Sequence, residues 1–128
     1  MNLLLDAHTW PWWRSDDARL SVAARCAIKD ESREIYVCTA TAMEMATKLR
    51  SGKLDEAAEA VGRFDELVAA DGFQHLPVAH FHSLKAGSYG AAHRDPFDRL
   101  LAAQSELESL VLVTRDPAYQ QFGTPTLW

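Results

Sequence analysis

Four carboxylates, Asp6, Glu44, Asp98 and Asp116, stand where a side chain can be held for chemistry. Asp6 closes the short apolar run of residues 2–5, and Asp116 follows the run Leu110-Val111-Leu112-Val113-Thr114. Glu44 and Asp98 fall in the first turns of two predicted helices. In a parallel sheet, strand ends and the helix starts behind them share one edge, where ligands bind. Four acids meeting there would repel and raise one another's pKa unless a divalent cation neutralised them. An all-oxygen donor set suits Mg²⁺ or Mn²⁺ rather than zinc. Such ions activate water and stabilise the leaving oxygen of a phosphodiester. The alternative is four unrelated cap and surface acids. Lys48 follows Glu44 by four residues, the spacing of an ordinary helical ion pair. Asp98 reads equally as a second cap acid behind Asp95.

The elements that must position these acids are legible as patterns. Asp95 is a good N-cap and Pro96 a good first helical residue, so a helix is predicted to start at Pro96. Leu100, Leu101, Ala102, Ala103 and Leu107 make its shaft mostly apolar, which predicts burial. Residues 2–5 and Ile35–Cys38 read as strands. A turn at Thr39–Thr41 leads to a helix from about Ala42 to Arg50, stopped at Gly52. Thr9 is a candidate N-cap, with Pro11 in the first turn behind it. Trp10, Trp12 and Trp13 predict packing or a subunit interface. Ser21 is predicted to cap a helix to Asp30, with Val22, Ala23, Cys26, Ala27 and Ile28 on or near its inner face. Residues 54–70 read as one amphipathic helix, Phe73–Leu76 as an edge-like strand and Pro77–Ala86 as a further helix. His80 and His82 fall on different faces of it, as surface or half-buried histidines. Leu110–Thr114 is the clearest strand, Pro117–Gln121 a helical turn and Thr126–Trp128 a last short strand. The alternation predicts an α/β fold, a mostly parallel sheet of four to five strands with helices on both sides.

Composition narrows the function. A chain of 128 residues, 48% hydrophobic and 24% charged, suits one globular domain over 1–128. No run approaches the ~20 apolar residues of a membrane span. The first six residues lack the basic leader of a signal peptide, so the expectation is a cytoplasmic protein away from membranes. Cys26 and Cys38 are expected to be buried thiols, without zinc spacing. A net charge of −5 argues against a simple cationic nucleic-acid binder. It is compatible with an enzyme that meets phosphates through metal ions. No Gly-rich phosphate loop and no nucleophile elbow is present. An aspartate-nucleophile phosphatase would want a second Asp two residues after Asp6, where this chain has His8.

These pieces resemble a known family. Leu3-Leu4-Leu5-Asp6-Ala7-His8-Thr9 is the first of them, and Glu44-Met45-Ala46-Thr47-Lys48 with Ser51-Gly52-Lys53-Leu54 the second. His93-Arg94-Asp95-Pro96-Phe97-Asp98-Arg99-Leu100-Leu101-Ala102-Ala103-Gln104 follows, then Thr114-Arg115-Asp116-Pro117 and the terminal Leu127-Trp128. Together, and in this order, they are similar to PIN-domain proteins of the VapC type, toxins of type II toxin–antitoxin pairs. The resemblance implies a three-layer PIN-like fold and a Mg²⁺- or Mn²⁺-dependent endoribonuclease. It implies that Asp6 and Asp98 are the principal metal ligands and that Glu44 and Asp116 complete the site, directly or through water. It assigns Asp95 no more than its N-cap. Thr114 would help to orient a ligand or phosphate. Arg94, Arg99, Arg115 and Lys48 lie close to the acids in sequence, as candidates for RNA phosphates or for pairing with the same acids. The partners implied are a second copy of the chain in a homodimer and a cognate antitoxin covering the acidic groove, in a higher assembly if need be. Ala7 stands where the family often has Thr or Ser, and Met43 where it often has Trp. A PIN-type nuclease of RNA maturation, or a catalytically silent PIN-like binding module, would show the same motifs.

Overall fold

The computed structural model describes residues 1–53 and 58–128. Five short strands carry the apolar runs: β1 (Leu3–Leu5), β2 (Ile35–Cys38), β3 (Gln74–Leu76), β4 (Val111–Val113) and β5 (Thr126–Leu127). They form one sheet in the order β3-β2-β1-β4-β5, and every pairing is parallel. Leu4 of β1 lies between Tyr36 of β2 and Leu112 of β4. This central place explains why β1 is an unbroken apolar run, since both its faces are covered. From β1 the chain builds outward on one side to β3, then returns to lay β4 and β5 on the other. The strand order therefore reverses between β1 and β4, and a crevice opens beyond their carboxyl ends.

Alternate strand residues feed two cores. Leu3, Leu5, Ile35, Val37 and Val113 face one core. It is completed by α1 (Thr9–Arg14), α2 (Val22–Lys29), α4 (Ala58–Gly62) and α5 (Phe64–Ala70). Leu4, Cys38 and Leu112 face the other, against α7 (Pro96–Leu107), which packs on α6 (His80–Ser88). Helix α3 (Thr39–Arg50) buries Met45 in the first core and touches α7 beside the second. The result is the three-layer α/β architecture expected from the sequence, with a sheet that is wholly parallel. Trp10 and Trp12 are core residues and Trp13 packs against them.

Several local expectations are corrected. Helix α3 starts at Thr39, directly after β2, because Cys38 serves as the N-cap and its Sγ accepts from Ala40 N. Glu44 therefore lies in the second turn, not the first. Helix α1 starts at Thr9 with His8 in the N-cap position, so Thr9 is helical and its hydroxyl is used elsewhere. Ser21 caps α2 as predicted, but the buried stripe is Ala24, Ala27 and Ile28, which leaves Val22 79% exposed and Cys26 in solvent. The single helix predicted over 54–70 is broken at Arg63 into α4 and α5, and its first four residues lie outside the described ones. Helix α6 begins at His80, three residues later than predicted. His82 is neither surface nor half-buried: its Nδ1 accepts from Ala79 N at 3.0 Å and its Nε2 faces Glu108 at 2.9 Å. Helix α7 starts at Pro96 under an Asp95 cap, and of its predicted apolar shaft Leu107 alone is exposed.

Candidate active site

Asp6 follows β1 at the crevice, and its carboxylate is fixed on both oxygens. Oδ1 accepts from His8 N at 3.0 Å and Thr9 N at 2.8 Å, and Thr9 Oγ1 lies 2.7 Å away. That hydroxyl also sits 2.8 Å from the Val113 carbonyl, so it ties Asp6 to β4. Oδ2 accepts from the buried Thr114 hydroxyl. Thr114 Oγ1 in turn accepts from Asp116 N at 3.1 Å. One threonine thus sets the aim of Asp6 and the course of the chain into Asp116. Asp116 is exposed, and its Oδ1 caps the 3-10 turn Pro117–Phe122 through Ala118 N at 2.9 Å.

The second group comes from α3 and α7. Oxygens of Glu44, Asp95 and Asp98 all lie within 4.8 Å of one another. Glu44 is only 8% exposed. Burial pushes its carboxyl up to about 7; Lys48 opposes the shift, and Asp98, Asp95 and Asp6 add to it. Burial also raises Asp98, against two hydrogen bonds that favour its charged form. Tyr119 donates its hydroxyl to Asp98 Oδ1 at 2.9 Å, and His93 Nε2 lies 2.7 Å from Oδ2. Burial and the neighbouring acids keep the Tyr119 phenol protonated, so it acts as a fixed donor. Asp95 keeps its cap as well, accepting from Phe97 N at 2.9 Å.

Both groups line one cleft of about 300 Å³. All four predicted acids reach it: Glu44 and Asp98 in the tight cluster, Asp6 and Asp116 beside it. Asp95 joins them, beyond its predicted role. Its signal was the i,i+3 spacing to Asp98, which puts both carboxylates on one side of a helix start. His93 and Tyr119 also line the cleft, and no spacing in the sequence marks them. Burial raises Glu44 first and the carboxylates of Asp98, Asp95 and Asp6 raise it further, a repulsion that a divalent cation would relieve. The hard oxygen donors of Glu44, Asp95 and Asp98 fit a hard divalent ion.

The predicted cations separate. Lys48 lines the cleft, but its Nζ lies 3.1 Å from His8 Nε2, and among the described residues it forms no ion pair with Glu44. Arg99 is not available to phosphate. Its guanidinium donates to the carbonyls of His93, Ala86, Tyr89 and Ala91 at 2.7 to 3.0 Å, pinning the connection from α6 to α7. Arg94 is exposed outside the cleft. Arg115 lies over the Trp12 ring, 4.6 Å from its centroid.

A family model described as PIN domain matches residues 3–124. The chain belongs to the PIN domain family. PIN domains are in general nucleases that use divalent metals, in keeping with the acid cluster found here. This PIN domain shares its fold with FitAcB from Neisseria gonorrhoeae, at 20% identity and a TM-score of 0.61, over 98% of this chain and 96% of that one. It also resembles a structure described as FitAB bound to an IR36 DNA fragment, at 19% identity and a TM-score of 0.55, over 98% and 93%. PAE2754 from Pyrobaculum aerophilum is similar at 19% identity and a TM-score of 0.54, over 98% and 89%. No curated protein matches the chain. Among the described residues, no helix is long and apolar enough to cross a membrane.

Proposed function

We propose that this PIN domain is a Mg²⁺- or Mn²⁺-dependent endoribonuclease, the toxin of a type II toxin–antitoxin pair. The observation that carries the reading is the convergence of Asp6, Glu44, Asp95, Asp98 and Asp116 on one cleft at the switch point of the sheet. Asp98 and Glu44 would hold the metal with Asp95 close by, and Asp6 and Asp116 would complete the site. A bound divalent ion supplies an activated water and a counter-charge for the leaving oxygen of the phosphodiester. The chain's own residues do the rest. Thr9 and Thr114 hold Asp6 in one orientation, and Tyr119 and His93 hold Asp98. Preorganised acids need no rearrangement as charge develops. The partners that go with this reading are a cognate antitoxin, whose basic segment would cover the cleft, and a second copy of the chain. The likeness to FitAB in its DNA-bound form supports the antitoxin partner. The expected compartment is the cytoplasm.

Calorimetry with Mn²⁺ on metal-stripped protein tests the site, beside RNA cleavage assays. Wild type should bind the ion and cut RNA, while Asp98→Asn and Asp6→Asn should lose cleavage and keep the fold. Cleavage by both variants at the wild-type rate would sink the assignment.

A further inference from the structure

Next to the acidic cleft runs a second depression of about 450 Å³. Asp6, His8 and Asp116 line both, so the two are continuous. The second differs sharply in charge. Arg19, Lys53 and Arg115 line it together with Trp12, three of the thirteen basic residues in a chain of net charge −5, and Arg19 is paired with Asp17 at 2.8 Å. Arg115 and Lys53 make no ion pair among the described residues, although Asp116 adjoins Arg115. Both are exposed.

Trp12 places the two arginines. Its ring is 8% exposed and buttressed by His8 at 5.5 Å and Trp128 at 5.9 Å. The Arg115 and Arg19 guanidinium carbons lie 4.6 and 4.8 Å from its centroid. Arg19 is also held by the Asp17 carboxylate, whereas the Arg115 guanidinium, resting on the indole, keeps its charge and turns its edge N–H groups to a ligand. The stack leaves the indole no open face on which a nucleobase could lie. The groove is thus built to meet charge, not base planes.

We propose that this groove is a phosphate track, in which Arg115 and Lys53 take the backbone of an RNA strand as it passes His8 into the cleft. The identity of the ligand rests on the nuclease reading. An RNA backbone is the polyanion that gains from lying half in a cationic groove and half in an acidic, cation-binding cleft. Contacts of this kind position a strand without reading its sequence.

The test is fluorescence anisotropy of labelled oligouridylate and oligoadenylate on the full chain, in EDTA, over a salt series. Binding should be salt-dependent and equal for the two sequences. Arg115→Ala and Lys53→Ala should each weaken it about threefold to tenfold and reduce the salt slope by roughly 0.7 per lost phosphate contact. Lys29→Ala, outside the groove, should change nothing, and Asp98→Asn should bind at least as well as wild type. Wild-type affinity in both groove variants, or an equal loss in Lys29→Ala, would overturn the track. So would displacement of the oligonucleotide by polyglutamate at equal charge, which would point to an acidic protein instead. Because no metal is present, these results stand apart from the cleavage assay. A protein that cuts RNA but ignores Arg115 and Lys53 refutes the track alone, and one that binds through them without ever cutting refutes the nuclease alone.

Discussion

Glu44 is the residue whose environment departs furthest from that of an ordinary acid in solution. Its carboxyl is pushed from 4.5 to about 7 by burial and by the acids around it. Between those values the folded protein keeps a proton that the unfolded chain has released. Stability of the metal-free protein should therefore fall as pH rises from about 4.5 to about 7. Glu44→Gln should remove that limb and raise the melting temperature at neutral pH, which thermal denaturation across pH will show. The same proton competes with a cation, so Mn²⁺ affinity should climb with pH through this range in wild type. A pH-independent affinity would mean that Glu44 does not ligate.

At the scale of elements, the start of α7 does two jobs with one residue. Asp95 caps the helix and also sits within the acid cluster. The two roles separate by substitution, because Asn is as good an N-cap as Asp but carries no charge. Asp95→Asn should keep the melting temperature and lose Mn²⁺ affinity, whereas Asp95→Ala should also lose about 1 kcal/mol of stability. Equal metal affinity in Asp95→Asn and wild type would return Asp95 to a cap alone. This helix was the most legible element of the sequence, since an acid, a proline and an apolar shaft all say the same thing. The strands were legible as apolar, β-forming runs, whereas their order in the sheet was not. Helix α3 was less so: its cap is a cysteine, a weak acceptor that does not advertise a helix start, and the chain enters the helix without a turn. Arg99 also lay beyond sequence reasoning. Its four carbonyl partners belong to the connection between α6 and α7, and nothing in a row of residues says where main-chain oxygens will point. Proximity in sequence to Asp98 suggested a phosphate ligand, whereas the fold uses it as a structural clamp. Likewise Tyr119 enters the site only because a 3-10 turn aims it at a helix 21 residues away.

Across the whole molecule, α1 is fastened by polar links at both ends, by Thr9 at its start and by a second link to the end of α5. Trp10 Nε1 donates to Asp71 Oδ2 at 3.0 Å and Arg14 meets Asp71 Oδ1 at 2.7 Å, joining α1 to the end of α5. Asp71→Ala should cost about 1–3 kcal/mol in urea denaturation, because it strands the indole N–H of a buried tryptophan. A loss no larger than that of an exposed substitution would place the strength of this face in apolar packing alone. The opposite side of the architecture sets an order of events. Central strand β1 is paired by β2 early in the sequence, but its other edge waits for β4, and the bond from Thr114 to Asp6 spans 108 residues. During synthesis, Asp6 and Glu44 are made before Asp98 and Asp116. A growing chain thus lacks a full set of acids until Asp116 has been made and β4 can pair with β1. The parallel crossover therefore makes the centre a product of the latest-made strand: the first acid waits for its partners until the far edge of β1 is filled.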